Sequence, residues 1–341
     1  MKVKRDFESE KHSSFKQRSN IKRVLVKKNE IDLAGTIAGR VFLIISNTIL
    51  VKTIDKLEFE AKISGVIYSE NESSSLIAVG DNVSIRVQEG QVGESGLELA
   101  TIIKIEKRDR IFARKASGYE PFEHVLASNI TNVMILTSTL EPTFNLRLID
   151  RMLVAAELNN VQPIICVNKI DLIERAEIEE YFEFYKSLKI PVFFISIENE
   201  IGLDELFTFL ENKITVLIGQ SGVGKSTMIN FLFGEEIQKT REISDWSSKG
   251  KHTTSFTRLF SYNNKFEIID TPGIKEFGIW GLDKSDLTFY FPEFLEFNDE
   301  CKFQPCSHIH EPGCKVFEAL EEGRILPERY QSYLNIYDSL D

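Results

Sequence analysis

The chain has 341 residues, 42% of them hydrophobic, too many for one ordinary domain, so two or three are expected. Its formal charge of -11 argues by itself against a nucleic-acid partner, DNA above all, although local basic stretches still permit contact with RNA phosphates. No apolar run approaches the ~20 residues of a membrane span, and the charged first residues lack the apolar core of an export signal, so a cytoplasmic protein without a membrane partner is expected.

Residues 1–29 form a polar arm without apolar period, with ten Lys/Arg against three Asp/Glu between Met1 and Lys28, and are expected to be disordered. Residues 30–118 read as all strand. The runs 35–42, 49–52, 62–67, 82–87 and 100–105 are separated by Gly, Asn, Asp and Ser, which predicts a small closed barrel of the OB type, with an SH3-like barrel as the competitor. Between Lys104 and Lys115 six basic residues face two acidic ones, a contact for RNA phosphates or a solvated face.

Residues 119–284 alternate strand and helix. Strands are expected at 133–136, 163–167, 192–195, 214–218, 257–262 and 266–269. Helices are expected at 147–159, 176–188 and 203–210, and from Met228 onward. This is the pattern of a mostly parallel α/β sheet covered on both faces. Residues 285–341 read as a separate, mainly helical unit around Cys301, Cys306 and Cys314, a spacing that suits a metal better than disulfides.

Three motifs carry chemistry. Gly219-Gln220-Ser221-Gly222-Val223-Gly224-Lys225-Ser226, followed by Thr227, fits the phosphate-binding loop G-x-x-x-x-G-K-[ST] and lies between a strand and a helix. Its glycines let backbone N–H groups face phosphates, Lys225 reaches the outer phosphates, and Ser226 supplies a hydroxyl for Mg²⁺. Asp270-Thr271-Pro272-Gly273 closes a strand, where Asp270 can hold Mg²⁺ through water and the Gly273 N–H can sense a terminal phosphate. Asn168-Lys169-Ile170-Asp171 matches the guanine-specificity motif N-K-x-D of GTPases, whose carboxylate accepts from guanine N1 and its 2-amino group. Ser196 stands where a Ser-Ala pair usually contacts guanine, although Ile197 departs from that pattern. The base-reading motif precedes the phosphate loop, the reverse of ordinary GTPases, which predicts a circularly permuted GTPase domain.

Three thiolates and an imidazole within fourteen residues can close a tetrahedral Cys₃His site, the arrangement of a structural zinc. His308 and His310 both lie within reach of the cysteines in sequence.

On these motifs the chain resembles the RsgA (YjeQ) family of small-ribosomal-subunit assembly GTPases. The likeness runs from about residue 75 to the C-terminus. It includes Gly250-Lys251-His252-Thr253-Thr254, Asp270 through Gly278, Phe291-Pro292-Glu293-Phe294 and Cys301-x4-Cys306-x-His308-x-x-Glu311-Pro312-Gly313-Cys314. In the barrel it rests on fragments, Val79-Gly80-Asp81-x-Val83 and Arg114-Lys115. The resemblance implies an OB-fold, a permuted GTPase domain and a zinc domain, and it selects His308 over His310 as the fourth ligand. It implies GTP hydrolysis on the small ribosomal subunit and its rRNA, by a protein expected to be a monomer. Ile274 occupies the place after D-x-x-G where a Gln often orients water, so slow intrinsic turnover is expected. The resemblance offers His252 as the replacement, with contact to RNA as its alternative role. Thr253 or Thr254 would complete the Mg²⁺ shell. Two rivals stand: an RNA-binding module with a degenerate nucleotide site, and a GTPase serving a translation or membrane-associated factor. Intact Lys225, Ser226 and Asp270 weigh against the first, and the barrel and cysteine tail against the second.

Overall fold

The computed structural model describes residues 24–25, 32–69, 76–115, 123–234, 256–271 and 278–340. His252, Thr253, Thr254 and Gly273, and all of the basic arm except Val24–Leu25, lie outside these residues. That pair forms a short strand (β1) parallel to the later strand Glu58–Ser69, so pairing reaches back into the segment expected to be disordered.

All five predicted barrel strands are present: Ile37–Ile45 (β2), Thr48–Thr53 (β3), Glu58–Ser69 (β4), Asn82–Val92 (β5) and Glu98–Ile105 (β6). β2 pairs with β3, β3 with β4, β4 with β6, β6 with β5, and β5 again with β2, so the sheet closes on itself and leaves no open edge. The contact of β4 with β6 is parallel and the others are antiparallel, which gives the OB-type strand order. Val41, Val51, Ile85, Ile102 and Ile105 fill the interior and are fully buried.

A hairpin of Ile111–Lys115 (β7) and Glu123–Ser128 (β8), not foreseen in the sequence, straddles the junction expected at 118/119. The second sheet comprises Asn132–Ser138 (β9), Gln162–Asn168 (β10), Val192–Phe194 (β11), Ile214–Gly219 (β12), Thr257–Tyr262 (β13) and Phe266–Asp270 (β14). Its order is β13-β14-β12-β9-β10-β11, parallel except for β13. The central strand β9 is buried along its whole length, as expected of a strand covered on both faces. Val133 and Ile135 enter one apolar core with Leu146–Leu158 (α1) and Arg175–Ser187 (α2). Met134 and Leu136 enter another with Leu203–Leu210 (α3) and the helix at 225–234 (α4).

Two seams join the barrel to its neighbours, one to this sheet and one to the β7–β8 hairpin. β2 pairs antiparallel with β13, beside an Arg40–Glu267 ion pair of 2.7 Å. At the other seam Gly80 lies so close to the hairpin that a Cβ would stand 2.1 Å from the Ser128 carbonyl oxygen, and Asp81 beside it is paired with buried Arg108. This explains the Val79-Gly80-Asp81 fragment as a docking element. It also removes Arg108 from the basic stretch available to phosphates, and Lys104 of that stretch is buried against Glu106.

The C-terminal unit contains a 3₁₀ segment, Lys284–Tyr290, and the helices Pro292–Asn298 (α5), Lys315–Glu321 (α6) and Pro327–Ser339 (α7). It docks on α1 through buried Arg329, whose guanidinium donates to Asp150 (2.5 Å) and Glu293 (2.6 Å) while the Tyr185 hydroxyl donates to Asp150 (2.8 Å). Breaking such a buried pair would leave an uncompensated charge.

Candidate nucleotide site and metal centre

The carboxyl ends of four neighbouring parallel strands, β14, β12, β9 and β10, gather the motifs at one edge of the sheet. Ligands of open α/β sheets bind at this edge. β12 delivers Gly219, and the loop that follows leads into α4, which begins at Lys225. Ser221, Ser226 and Thr227 are exposed at the mouth, Gln220 is half-buried and Val223 is buried. Lys225 Nζ donates to the carbonyls of Gly219 (2.6 Å) and Gln220 (2.7 Å). Burial lowers the Lys225 pKa, and the charge of Asp270 opposes that shift. Asp270, at the end of β14, is pushed up to about 6 by burial, with Lys225 holding it from rising further. Thr271 fixes this strand end by donating its hydroxyl to the Leu217 carbonyl (3.0 Å).

β10 delivers the Asn168–Asp171 motif beside the loop at 219–226. The buried Asn168 amide donates to the Val223 carbonyl (3.0 Å), and the Ile197 N–H donates to its oxygen (3.2 Å). One side chain thus bridges the phosphate loop, the Asn168–Asp171 loop and the segment around Ser196. Gly224 is required for this approach: a Cβ there would stand 2.3 Å from Asn168 Nδ2, and its φ is 106°. Ile170 is buried, and Asp171 is exposed in the short 3₁₀ turn Ile170–Leu172. Ser196 is buried, and its hydroxyl accepts from the Asn199 N–H (3.2 Å). Ile197, which departs from the usual pattern, contributes through its backbone N–H, a role any residue but proline permits.

The ligand atoms of Cys301, Cys306, His308 and Cys314 lie within 4.8 Å of one another, and all four residues are buried. Exposed His310 is not among them. The set fits zinc, whose tetrahedral S and N ligands stand roughly 3.5–4 Å apart. His308 Nδ1 faces Cys314 Sγ (3.4 Å) and Cys301 Sγ (3.8 Å), while its Nε2 is 3.1 Å from Asn298 Oδ1. The Asn298 Nδ2 donates to Asp299 (3.1 Å), which turns the amide oxygen toward the imidazole and sets the proton on Nε2. The N–H groups of Lys315 and Phe317, in the first turn of α6, donate to the sulfurs of Cys301 (3.3 Å) and Cys314 (3.4 Å). Glu311 would be raised by burial, but hydrogen bonds from Ser307 and neighbouring backbone hold it down to about 2, so it stays ionised and ties the loop.

Two supporting residues escaped the sequence reading. Asn298 precedes the first cysteine by three positions and belongs to no spacing rule. Thr139 follows the β9 run, where only the position of a strand end marks it as close to a site.

A family model described as RsgA GTPase matches residues 105–280. A protein of Chlorobaculum parvum named small ribosomal subunit biogenesis GTPase RsgA is 40% identical over 310 residues, 90% of this chain and 99% of that protein. One of the same name from Fusobacterium nucleatum is 37% identical over 279 residues, 81% of this chain and 90% of that protein. Among solved structures, YjeQ from Thermotoga maritima aligns with a TM-score of 0.64 at 25% identity, covering 89% of this chain and 98% of that one. YloQ, described as a circularly permuted GTPase, aligns with a TM-score of 0.62 at 25% identity, covering 89% and 95%.

Proposed function

The chain belongs to the RsgA GTPase family and is a GTP hydrolase that uses Mg²⁺, and we propose that it turns over GTP while bound to the small ribosomal subunit, as a late assembly factor of that particle. The observation that carries the nucleotide assignment is the Asn168 bridge, which joins a base-reading loop to a phosphate loop 55 residues further along the chain.

In this reading Asp171 selects guanine, since adenine would leave its carboxylate unpaired. The N–H groups of Gly219 through Thr227 and the Lys225 ammonium hold the phosphates. Ser226, Asp270 and one of Thr253 or Thr254 would hold Mg²⁺, which when bound draws charge from the phosphate oxygens. The Gly273 N–H would report the terminal phosphate. Ile274 has no polar group with which to orient water, so His252 takes that role on the subunit. One zinc held by Cys301, Cys306, His308 and Cys314 would serve folding, because four protein ligands leave no open position for chemistry.

GTP turnover with and without purified small subunits tests this reading. The parent should be slow alone and stimulated by the subunit. His252→Ala should keep subunit binding and GTP affinity yet lose on the order of 10²-fold of the stimulated rate. Full stimulation of that variant removes His252 from catalysis, and loss of subunit binding makes it an RNA contact.

A further inference from the structure

The loop that would read guanine is held in place by a residue outside every motif. Lys169 adopts φ 63°, a left-handed conformation disfavoured for a residue with a side chain, so something must hold it. Thr139, 1% exposed just past the end of β9, donates twice to that loop. Its N–H meets the Asn168 carbonyl at 3.1 Å, and its hydroxyl meets the Lys169 carbonyl at 2.6 Å. Lys169 Nζ returns bonds to the carbonyls of Leu140 (3.1 Å) and Glu141 (2.5 Å), and the Ser138 hydroxyl closes the same turn onto the Pro142 carbonyl (2.6 Å). Asp171 follows on an exposed turn, so its direction is set by the backbone of the two residues before it.

We infer that Thr139 is a specificity-positioning residue, whose hydroxyl holds the Lys169 carbonyl so that the Asp171 carboxylate meets both guanine donors together. The inference rests on the guanine reading of Asp171. Two parallel hydrogen bonds to one carboxylate require a narrow range of approach, and releasing the loop would cost the second bond before the first. Hypoxanthine keeps the N1 donor of guanine and lacks the 2-amino group, so the ratio of GDP to IDP affinity reports the second bond alone.

The test is equilibrium binding of GDP, IDP and ADP to the full chain carrying Thr139→Val or Thr139→Ser, with kcat and KM for GTP. Thr139→Val should weaken GDP about 3–10-fold, the range one hydrogen bond supports. It should weaken IDP less, narrowing the GDP to IDP ratio, and raise KM with kcat unchanged. Thr139→Ser keeps the donor and should match the parent. If the valine variant is recovered unfolded, Thr139→Ala removes the same donor and is read the same way. Equal losses for GDP and IDP, or a valine variant that binds both like the parent, overturn the positioning role while leaving Asp171 as the guanine reader. A parent that binds ADP as well as GDP overturns the guanine reading itself.

Discussion

The metal centre and the nucleotide site are built over very different lengths of chain. The four candidate metal ligands lie between Cys301 and Cys314, and the helix that supplies two N–H donors to their sulfurs starts at the next residue. The candidate nucleotide site draws on segments from Ser138 to Asp270, and its motifs hang from the ends of different strands. A local cluster can stand on the ion it binds, whereas a distributed site stands on the sheet that spaces its loops. The first should therefore fail when its metal goes, and the second when its loops slip.

The sharpest way to break this contrast is to remove the metal. Cys306→Ser should lose zinc altogether and unfold the segment around it, because a structural zinc contributes directly to folding. His310→Ala should retain one zinc per chain. Nucleotide affinity should change less than about threefold in Cys306→Ser, the scale of a lost peripheral contact. Elemental analysis with a GDP titration decides this. A collapse of GDP binding along with the metal would show that α7, pinned to α1 through Arg329 and Asp150, makes the two regions one cooperative unit.

On the distributed side the largest effect belongs to Asp171→Asn. An amide opposite guanine leaves donors facing donors, so GTP should weaken by about 10²-fold, while xanthosine triphosphate, with an oxygen at that place, gains. Competition binding with the two nucleotides measures the switch, and an unchanged preference would detach Asp171 from the base.

The same contrast explains what could be read before the structure. The Cys₃His set was legible because ligands so close in sequence need no fold to meet. Each nucleotide motif was legible because a phosphate loop and an N-K-x-D tetrapeptide carry their own strand ends with them. The barrel strands were legible from β-branched runs cut by turn residues. The hairpin β7–β8 was not, because β7 is five residues at the end of a basic stretch that reads equally as loop, and β8 carries only the short apolar run Val125-Leu126-Ala127. Arg108 was counted among exposed cations because nothing in its neighbours announces Asp81 as a buried partner. Thr139 and Asn298 were invisible for one reason: each acts through a contact made only when distant or turned backbone is already in place.

Asn298 offers a milder test on the local side. Without its oxygen, His308 loses the partner that fixes its tautomer, and outer partners of metal ligands are typically worth 10–100-fold in affinity. Asn298→Leu should lower zinc affinity within that range in a chelator competition, with a normal fold at saturating zinc. Unchanged affinity would mean that the sulfurs and the backbone alone orient the imidazole.

The smallest expected effect is a pH dependence on the distributed side. Asp270 carries a pKa raised from 3.8 to about 6, by burial first and against the opposing charge of Lys225. A carboxylic acid raised in this way is protonated in the folded chain where the unfolded chain is already ionised. Its contribution to stability therefore falls as pH rises from about 4 through about 6, since the folded state must then carry a buried charge. Binding of Mg²⁺ with nucleotide runs the other way, because it needs the ionised form. Apparent affinity for the Mg²⁺ complex of GDP should be flat above pH 7 and fall about tenfold per unit well below pH 6. Lys225→Ala removes the charge that holds Asp270 down, so the midpoint of the stability change should move up in that variant, which is read from unfolding because Lys225 also holds the phosphates. Denaturant unfolding of parent and variant between pH 4 and 8 would measure it. A midpoint that stays in place without Lys225 would mean that the two side chains do not share one site, and the picture of loops spaced by the sheet would fail at its centre.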